Sequence, residues 1–328
     1  PVGLGVGGDD GHRRRDRQRL YFRARYQRRI HPFDHQFFSR CRYCGGCPCG
    51  TSSTAVAHGA LRLNGEVVSS DIKRRFSGLD RLYGLAGAEN IRSSHVAVVG
   101  IGGVGSWAAE ALARSGVGTL TLIDLDHISE SNINRQIHAL SSTVGKAKVL
   151  AMRERIAEIN DQCRVHCVDD FVTSDNWPYI LPSGVGAVID ACDDPKAKTW
   201  LAEWARSNGR LFVTVGAAGG KRLAHKVDVD DLAFTTHDPL LAQLRYRLRK
   251  QFGAPRDGKK MGVHCGFSRE AVAGPDASCL IDGDGDGSLN CHGYGSLASV
   301  TATFGFCAAG FVLEEISKIK KSASNSTL

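Results

Sequence analysis

The stretch His95-Val-Ala-Val-Val99 followed by Gly100-Ile-Gly102-Gly103-Val-Gly105 constrains this 328-residue chain more than any other segment. A short apolar run that ends in Gly-x-Gly-x-x-Gly reads as a buried strand turning through a glycine loop into a helix. The first glycine permits the tight turn and the second lets backbone approach a phosphate. The helix N-terminus that follows favours an anion. Asp124 closes the next apolar run, Thr119 to Ile123, about 20 residues on, where an acid bonds ribose hydroxyls. These features suit NAD as well as ATP, so a nicotinamide oxidoreductase is one reading of them.

Further apolar runs alternate with helical patterns. Strands are expected at 95–99, 119–123, 164–168, 185–189 and 210–215, and helices at 71–83, 106–115, 145–160 and 195–207. The alternation predicts an α/β fold, a doubly wound, mostly parallel Rossmann-like sheet. Beyond Gly216 the pattern changes to an antiparallel strand near 226–229, a basic helix over 239–252 and a closing helix over 300–320. These make a smaller antiparallel and helical C-terminal extension. The expected organisation is a tail over 1–70, a folded body over 71–320 and a flexible end over 321–328.

Three features move the glycine loop toward triphosphate chemistry. Asn132-Ile-Asn134-Arg135-Gln136 follows Asp126 closely and offers amides and a guanidinium. Lys148, at the start of a predicted helix, places a cation within reach of phosphate oxygens. Asp190-Ala-Cys-Asp193-Asp194 ends a strand at the edge where ligands bind such sheets, and carboxylates there can hold Mg²⁺. Each has a simpler alternative: Lys146 and Lys148 as solvated helix charges, Asp194 as a helix cap, Asn132 as a turn residue.

The strings Val98-Val-Gly-Ile-Gly-Gly-Val-Gly-Ser106, Ile123-Asp-Leu-Asp126, Asn134-Arg-Gln136 and Asp190-Ala-Cys-Asp193 resemble the ubiquitin-activating-enzyme-like (ThiF/MoeB-type) adenylating superfamily. Arg81-Leu-Tyr-Gly84, Arg135-Gln-Ile-His-Ala-Leu140, Val168-Asp-Asp-Phe-Val-Thr173, Gly262-Val-His-Cys-Gly-Phe-Ser-Arg-Glu270 and Val300-Thr-Ala-Thr-Phe-Gly-Phe306 are most similar to its tRNA threonylcarbamoyladenosine dehydratase branch. The resemblance covers roughly residues 72–320. It implies a homodimer that uses ATP and Mg²⁺ to adenylate the threonyl carboxylate of N6-threonylcarbamoyladenosine in tRNA, with sulfur-relay proteins as possible partners. Carried over, Gly100, Gly102, Gly103 and Gly105 form the phosphate loop, Asp124 holds the ribose, Asp126 belongs to the nucleotide site, and Asn134, Arg135 and Lys148 contact phosphates. Asp193 holds the metal, and Arg81 is a phosphate contact near the subunit interface. Cys265 is either a covalent nucleophile, its thiolate favoured by nearby cations, or a buried small side chain.

The other readings are an activator of a ubiquitin-like sulfur carrier and a noncatalytic scaffold. The first loses support because the folded region has no pair of Cys-x-x-Cys motifs for structural zinc. Asp282-Gly-Asp-Gly-Asp-Gly287 imitates a calcium loop, but Gly293 stands where the closing Glu belongs. A flexible acidic loop is the expectation there.

Charge is uneven. Of the net +8, residues 1–70 account for most, with twelve Arg against five acids. The absence of an initiator Met suggests a fragment or gene-model artefact, and the Arg-rich tail otherwise reads as disordered or as an organelle transit segment. The expected location is therefore the cytoplasm, or a mitochondrion or plastid if that tail is a transit segment. Cys41, Cys44, Cys47 and Cys49 are spaced too tightly for a common zinc finger. In the body, Arg245, Arg247, Arg249 and Lys250, with Lys259 and Lys260, precede Cys265 and are expected to hold tRNA beside the chemistry. No apolar run reaches the roughly 18–20 residues of a membrane span; the longest, Val300 to Leu313, predicts a buried or interfacial helix.

Overall fold

Parallel strands covered on both faces are apolar along most of their length, and the central strands follow this rule except at the buried Thr121, Asp190 and Thr214. The computed structural model describes residues 66–256, 258–276, 278 and 294–319. The elements are α1 (Glu66–Arg92), β1 (His95–Val99), α2 (Gly105–Arg114), β2 (Thr119–Ile123), α3 (Lys148–Ile159), β3 (Arg164–Val168), β4 (Ala187–Asp190), α4 (Pro195–Ser207), β5 (Leu211–Val215), β6 (Val227–Asp231), α5 (Pro239–Phe252), β7 (His264–Ser268) and α6 (Ala298–Ser317). They belong to one compact unit, residues 62–328. The N-terminal residues 1–65, with their four cysteines, the acidic segment Asp282–Gly287 and the end 321–328 lie outside the described residues.

The seven strands form one sheet in the order β3-β2-β1-β4-β5-β7-β6. All neighbours are parallel except β6 and β7. The order reverses between β1 and β4, and in doubly wound sheets the crevice at that point, outside the carboxyl ends of the strands, is where ligands bind.

Period-2 alternation divides the core between the two faces. Val96, Val98, Leu120, Leu122, Ile189 and Val213 pack on α2, α3 and α6. Ala97, Val99, Ile123, Val188, Phe212 and Phe267 pack on α4 and α5. α6 is long and apolar enough to cross a membrane by length and composition. Here it lies against the sheet, with Val300, Phe304, Ala308, Val312 and Ile316 in the core.

Most expected elements are observed within a few residues, and three differ. α1 extends over 27 residues, with a break at Gly84, where φ is +71°; glycine accepts that left-handed backbone freely. β4 is shifted to 187–190. The sequence reading contains no strand at 264–268, yet β7 is inserted between β5 and β6 and joins the expected C-terminal extension to the same sheet.

Candidate active site

The glycine loop leaves β1 at the switch point and tolerates no side chain at its two ends. Gly100 has φ +83°, and a Cβ there would lie 2.9 Å from the Ala191 carbonyl. At Gly105 a Cβ would be driven into the Gly100 oxygen. The chain thus closes on itself tightly enough to aim backbone, not side chains, into the crevice. No side chain caps the N-terminus of α2, and its first turn holds no acid. Its free amides and dipole are left for an anion.

Asp124 sits beside this loop with its side chain 8% exposed. Its two oxygens accept from Ile101 N at 2.6 Å and Asp126 N at 2.8 Å, and each keeps a second lone pair for a hydroxyl. Burial lifts its carboxyl above the ordinary value, while Lys148 and these amides pull it down. Lys148 begins α3, donates to Asp126 Oδ2 at 2.7 Å and lies 3.8 Å from Asp124 Oδ1. The ammonium is therefore held between two carboxylates at the crevice.

Arg135 and Asn134 come from the turn after the short 3₁₀ helix Glu130–Asn132. The Arg135 guanidinium donates to Ser131 O and to Asn134 Oδ1, and Asn134 Nδ2 donates to Ser296 O at 2.8 Å. The Arg135 carbonyl accepts from Trp107 Nε1 at 2.9 Å and Thr301 Oγ1 at 3.1 Å. These bonds tie the turn to α2 and α6. A Cβ on Gly103 would stand 3.6 Å from Arg135 Cδ, and one on Gly102 would stand 4.0 Å from Gln136 Nε2. Gln136 Oε1 is buried without a protein partner. Two residues on, His138 is buried; desolvation, then Lys148 and Arg155, pull its pKa down to about 4, so its ring is neutral. The structure therefore brings Gly100, Gly102, Gly103, Gly105, Asp124, Asp126, Asn134, Arg135 and Lys148 to one edge.

The carboxylates after β4 separate into different tasks. Asp190 is fully buried, accepts from Lys198 Nζ at 3.0 Å and from Thr214 Oγ1 at 2.6 Å, and so is not available to a metal as its motif had suggested. Asp194 caps α4 through Lys196 N, which is the simpler role considered for it. Asp193 is exposed between them. Among the described residues no three His, Cys, Asp or Glu cluster as a metal site. A single free carboxylate fits a Mg²⁺ that takes its other ligands from phosphates and water. Lys198 was missed by sequence reasoning, although the core period of α4, through Ala197, Leu201 and Ala205, places it on the buried face.

Two expectations are corrected. Cys265 is fully buried in the core beneath this edge, and burial pushes its thiol well above the ordinary value despite Lys198 nearby. That is the opposite of an activated thiolate. The basic run is not beside the chemistry either. β7 is parallel to β5, with His264 opposite Val213, so the residues before His264 occupy the amino edge of the sheet. Arg245 donates to Leu232 O and Thr235 O and Arg249 to Pro255 O, which commits both to the fold. Lys250, Lys259 and Lys260 are exposed and Arg247 is half-buried. Arg81 is exposed on α1, whose Arg75 bonds Ile159 O and whose Phe76 packs on Gly116. It does not join the phosphate loop of its own chain.

Known proteins share this arrangement over nearly their whole length. The tRNA threonylcarbamoyladenosine dehydratase of Escherichia coli is 46% identical over 257 residues, which cover 76% of this chain and 96% of the relative. The protein of that name from Haemophilus influenzae is 41% identical over 76% of this chain and 95% of its own length. A crystal structure of the E. coli enzyme in complex with ATP superposes with a TM-score of 0.68 at 45% identity, covering 76% of this chain and 96% of that one. With the ThiF family matching residues 76–328, this chain belongs to the ThiF family.

Proposed function

We propose that this chain is an ATP-dependent dehydratase that activates the threonyl carboxylate of N6-threonylcarbamoyladenosine in tRNA and closes it into a ring. The observation that carries this reading is the near full-length likeness to a dehydratase, together with a glycine cradle, Asp124 and Lys148 assembled at one sheet edge. It favours this activity over nicotinamide chemistry and over activation of a sulfur carrier.

A carboxylate is a poor electrophile. Its oxygen attacks the α-phosphorus of ATP, pyrophosphate leaves, and the acyl-adenylate carries AMP as a good leaving group. The carbamoyl group of the same nucleoside then attacks the activated carbonyl and loses a proton, while AMP departs with the original carboxylate oxygen. The net change in the RNA is loss of one water. Holding both groups in one molecule supplies the proximity that makes the second step fast.

In this scheme the α2 amides and the glycine loop bind phosphate oxygens, and Asp124 takes the ribose hydroxyls. Lys148 and Arg135 neutralise charge as pyrophosphate separates, and Asp193 would hold a Mg²⁺, which would supply further positive charge for the phosphates. Arg81, exposed beside Leu82 and Leu85 at 72% and 75% exposure, fits a contact between the two subunits of a homodimer.

Incubation with ATP, Mg²⁺ and tRNA carrying threonylcarbamoyladenosine, followed by digestion and mass measurement, should show the nucleoside lighter by one water. An unchanged nucleoside with folded, ATP-binding protein would sink the reading. Cys265→Ser should retain activity within about threefold, because a buried, protonated thiol forms no thioester. A loss beyond about 100-fold, with the melting temperature preserved, would restore the covalent role.

A further inference from the structure

The outer flank of α4 carries a surface that the nucleotide chemistry does not use. Three of the four tryptophans of the chain, Trp177, Trp200 and Trp204, line a cavity of about 220 Å³ with Ser174, Glu203 and Ser207. Trp204 stands edge-on to Trp177 with ring centres 5.1 Å apart. Trp200 meets Phe252 of α5 in the same way at 5.6 Å, yet remains 42% exposed. An indole left open on a helix beside an aromatic cavity marks a binding surface more than a packing need. Trp177 is buried, and its Nε1 finds no acceptor in the protein.

The charge around the cavity selects the ligand. Glu203, the one carboxylate in its lining, is engaged by Arg206 at 2.8 Å and by Ser207 Oγ at 2.6 Å. Arg206 also donates to the Phe252 carbonyl, which fixes the end of α5 against α4. Along α5, Lys250 lies 5.6 Å from the ring centre of Tyr246, and Tyr246 is itself 60% exposed. Arg256, Lys259 and Lys260 follow, all exposed. Flat aromatic faces together with exposed cations on the same flank are what unpaired nucleotides require, since bases stack while phosphates meet Lys and Arg. A peptide seeking an apolar cleft would have no use for that row of cations.

We propose that this flank is an RNA-contact site, in which an unpaired tRNA nucleotide stacks its base on Trp200 over the tryptophan cavity. Tyr246 provides a second stacking face, and Lys250, Lys259 and Lys260 meet the adjoining phosphates. The inference rests on the tRNA-directed reading above. Trp200 is the sixth residue of α4, about 8 Å along the axis from its start at 1.5 Å per residue. A base stacked there neighbours the carboxyl edge, whereas Lys259 and Lys260 precede β7 at the amino edge, so the bound RNA follows the flank between the two edges.

The test is a titration of the full chain with bulk tRNA at two salt concentrations, followed by tryptophan fluorescence. tRNA should quench the emission. Trp200→Ala should raise Kd about 5- to 50-fold, and Trp200→Phe, which keeps a stacking face, should stay within about threefold of the parent. Tyr246→Ala, an exposed change that leaves the core intact, should weaken binding in the same direction. Replacing Lys259 and Lys260 by Ala should flatten the salt dependence, with ATP affinity unchanged in every variant. Unaltered tRNA affinity in both Trp200→Ala and Tyr246→Ala would overturn the proposal, as would binding of a peptide at the cavity with tRNA affinity unaffected. Trp200-dependent binding without any dehydration by the parent protein would support this site and sink the substrate reading alone.

Discussion

Lys148→Ala is expected to lower ATP-dependent adenylation by at least about 100-fold, the scale of removing one pre-oriented charge from a transition state. The ammonium is already fixed between Asp126 and Asp124 at the mouth of the crevice. Little reorganisation is needed for it to meet a phosphate. The substitution should cost the fold about 1–3 kcal/mol: the pairing with the exposed Asp126 is screened by water, but the buried Asp124 is left without its compensating charge. Asp124 would lose the charge that offsets its burial, so its carboxyl would move further above the ordinary value. The measurement is AMP release with tRNA, set against thermal melting. Near-normal turnover in a folded variant would mean the phosphates lie elsewhere. Arg135→Ala should act in the same direction, since its guanidinium is pre-positioned by Ser131 and Asn134.

Lys198→Ala should cost about 3–5 kcal/mol of stability. Both members of the Asp190–Lys198 pair are fully buried. Burial works against the Lys198 ammonium, but the Asp190 carboxylate outweighs it and raises the pKa. Removing the lysine leaves a carboxylate in the core with only Thr214, Cys192 and backbone for company. Replacing both partners together, Asp190→Asn with Lys198→Met, should recover part of the loss, since no lone charge remains. Denaturant unfolding of the three proteins would decide. A loss below about 1 kcal/mol for Lys198→Ala would show that the pair is not uncompensated when broken. The same pair anchors the β4 end from which Asp193 projects.

How much could be read in advance depended on whether the signal was local. β1, β2, β3 and β5 are legible because each presents an apolar or alternating run bounded by turn residues. The helix starts at Pro195 and Pro239 are legible because Asp194 and Asp238 cap them. β7 was missed because His264-Cys-Gly-Phe-Ser268 carries no such pattern; it is a strand because β5 and β6 supply its hydrogen bonds from either side. The glycine loop could be assigned to a phosphate from spacing alone. The task of each acid after β4 could not, because Asp190, Asp193 and Asp194 are equivalent as letters and differ in burial and in their hydrogen-bond partners.

The sequence by itself determined the doubly wound sheet, the crevice at the switch point and the residues around the phosphate loop, since these follow from short-range periodicity and from glycine positions with no steric alternative. Only the tertiary structure decided which charges are free to act. Arg245 and Arg249 are spent on backbone carbonyls, Cys265 is sealed in the core, and Asp190 is neutralised by a lysine eight residues along a helix. The basic run went to the amino edge because β7 is parallel to β5. Availability is a matter of which groups lie next to a charge and how much water reaches it, and both are set by how the elements pack, even where the partner is only 6 to 13 residues away.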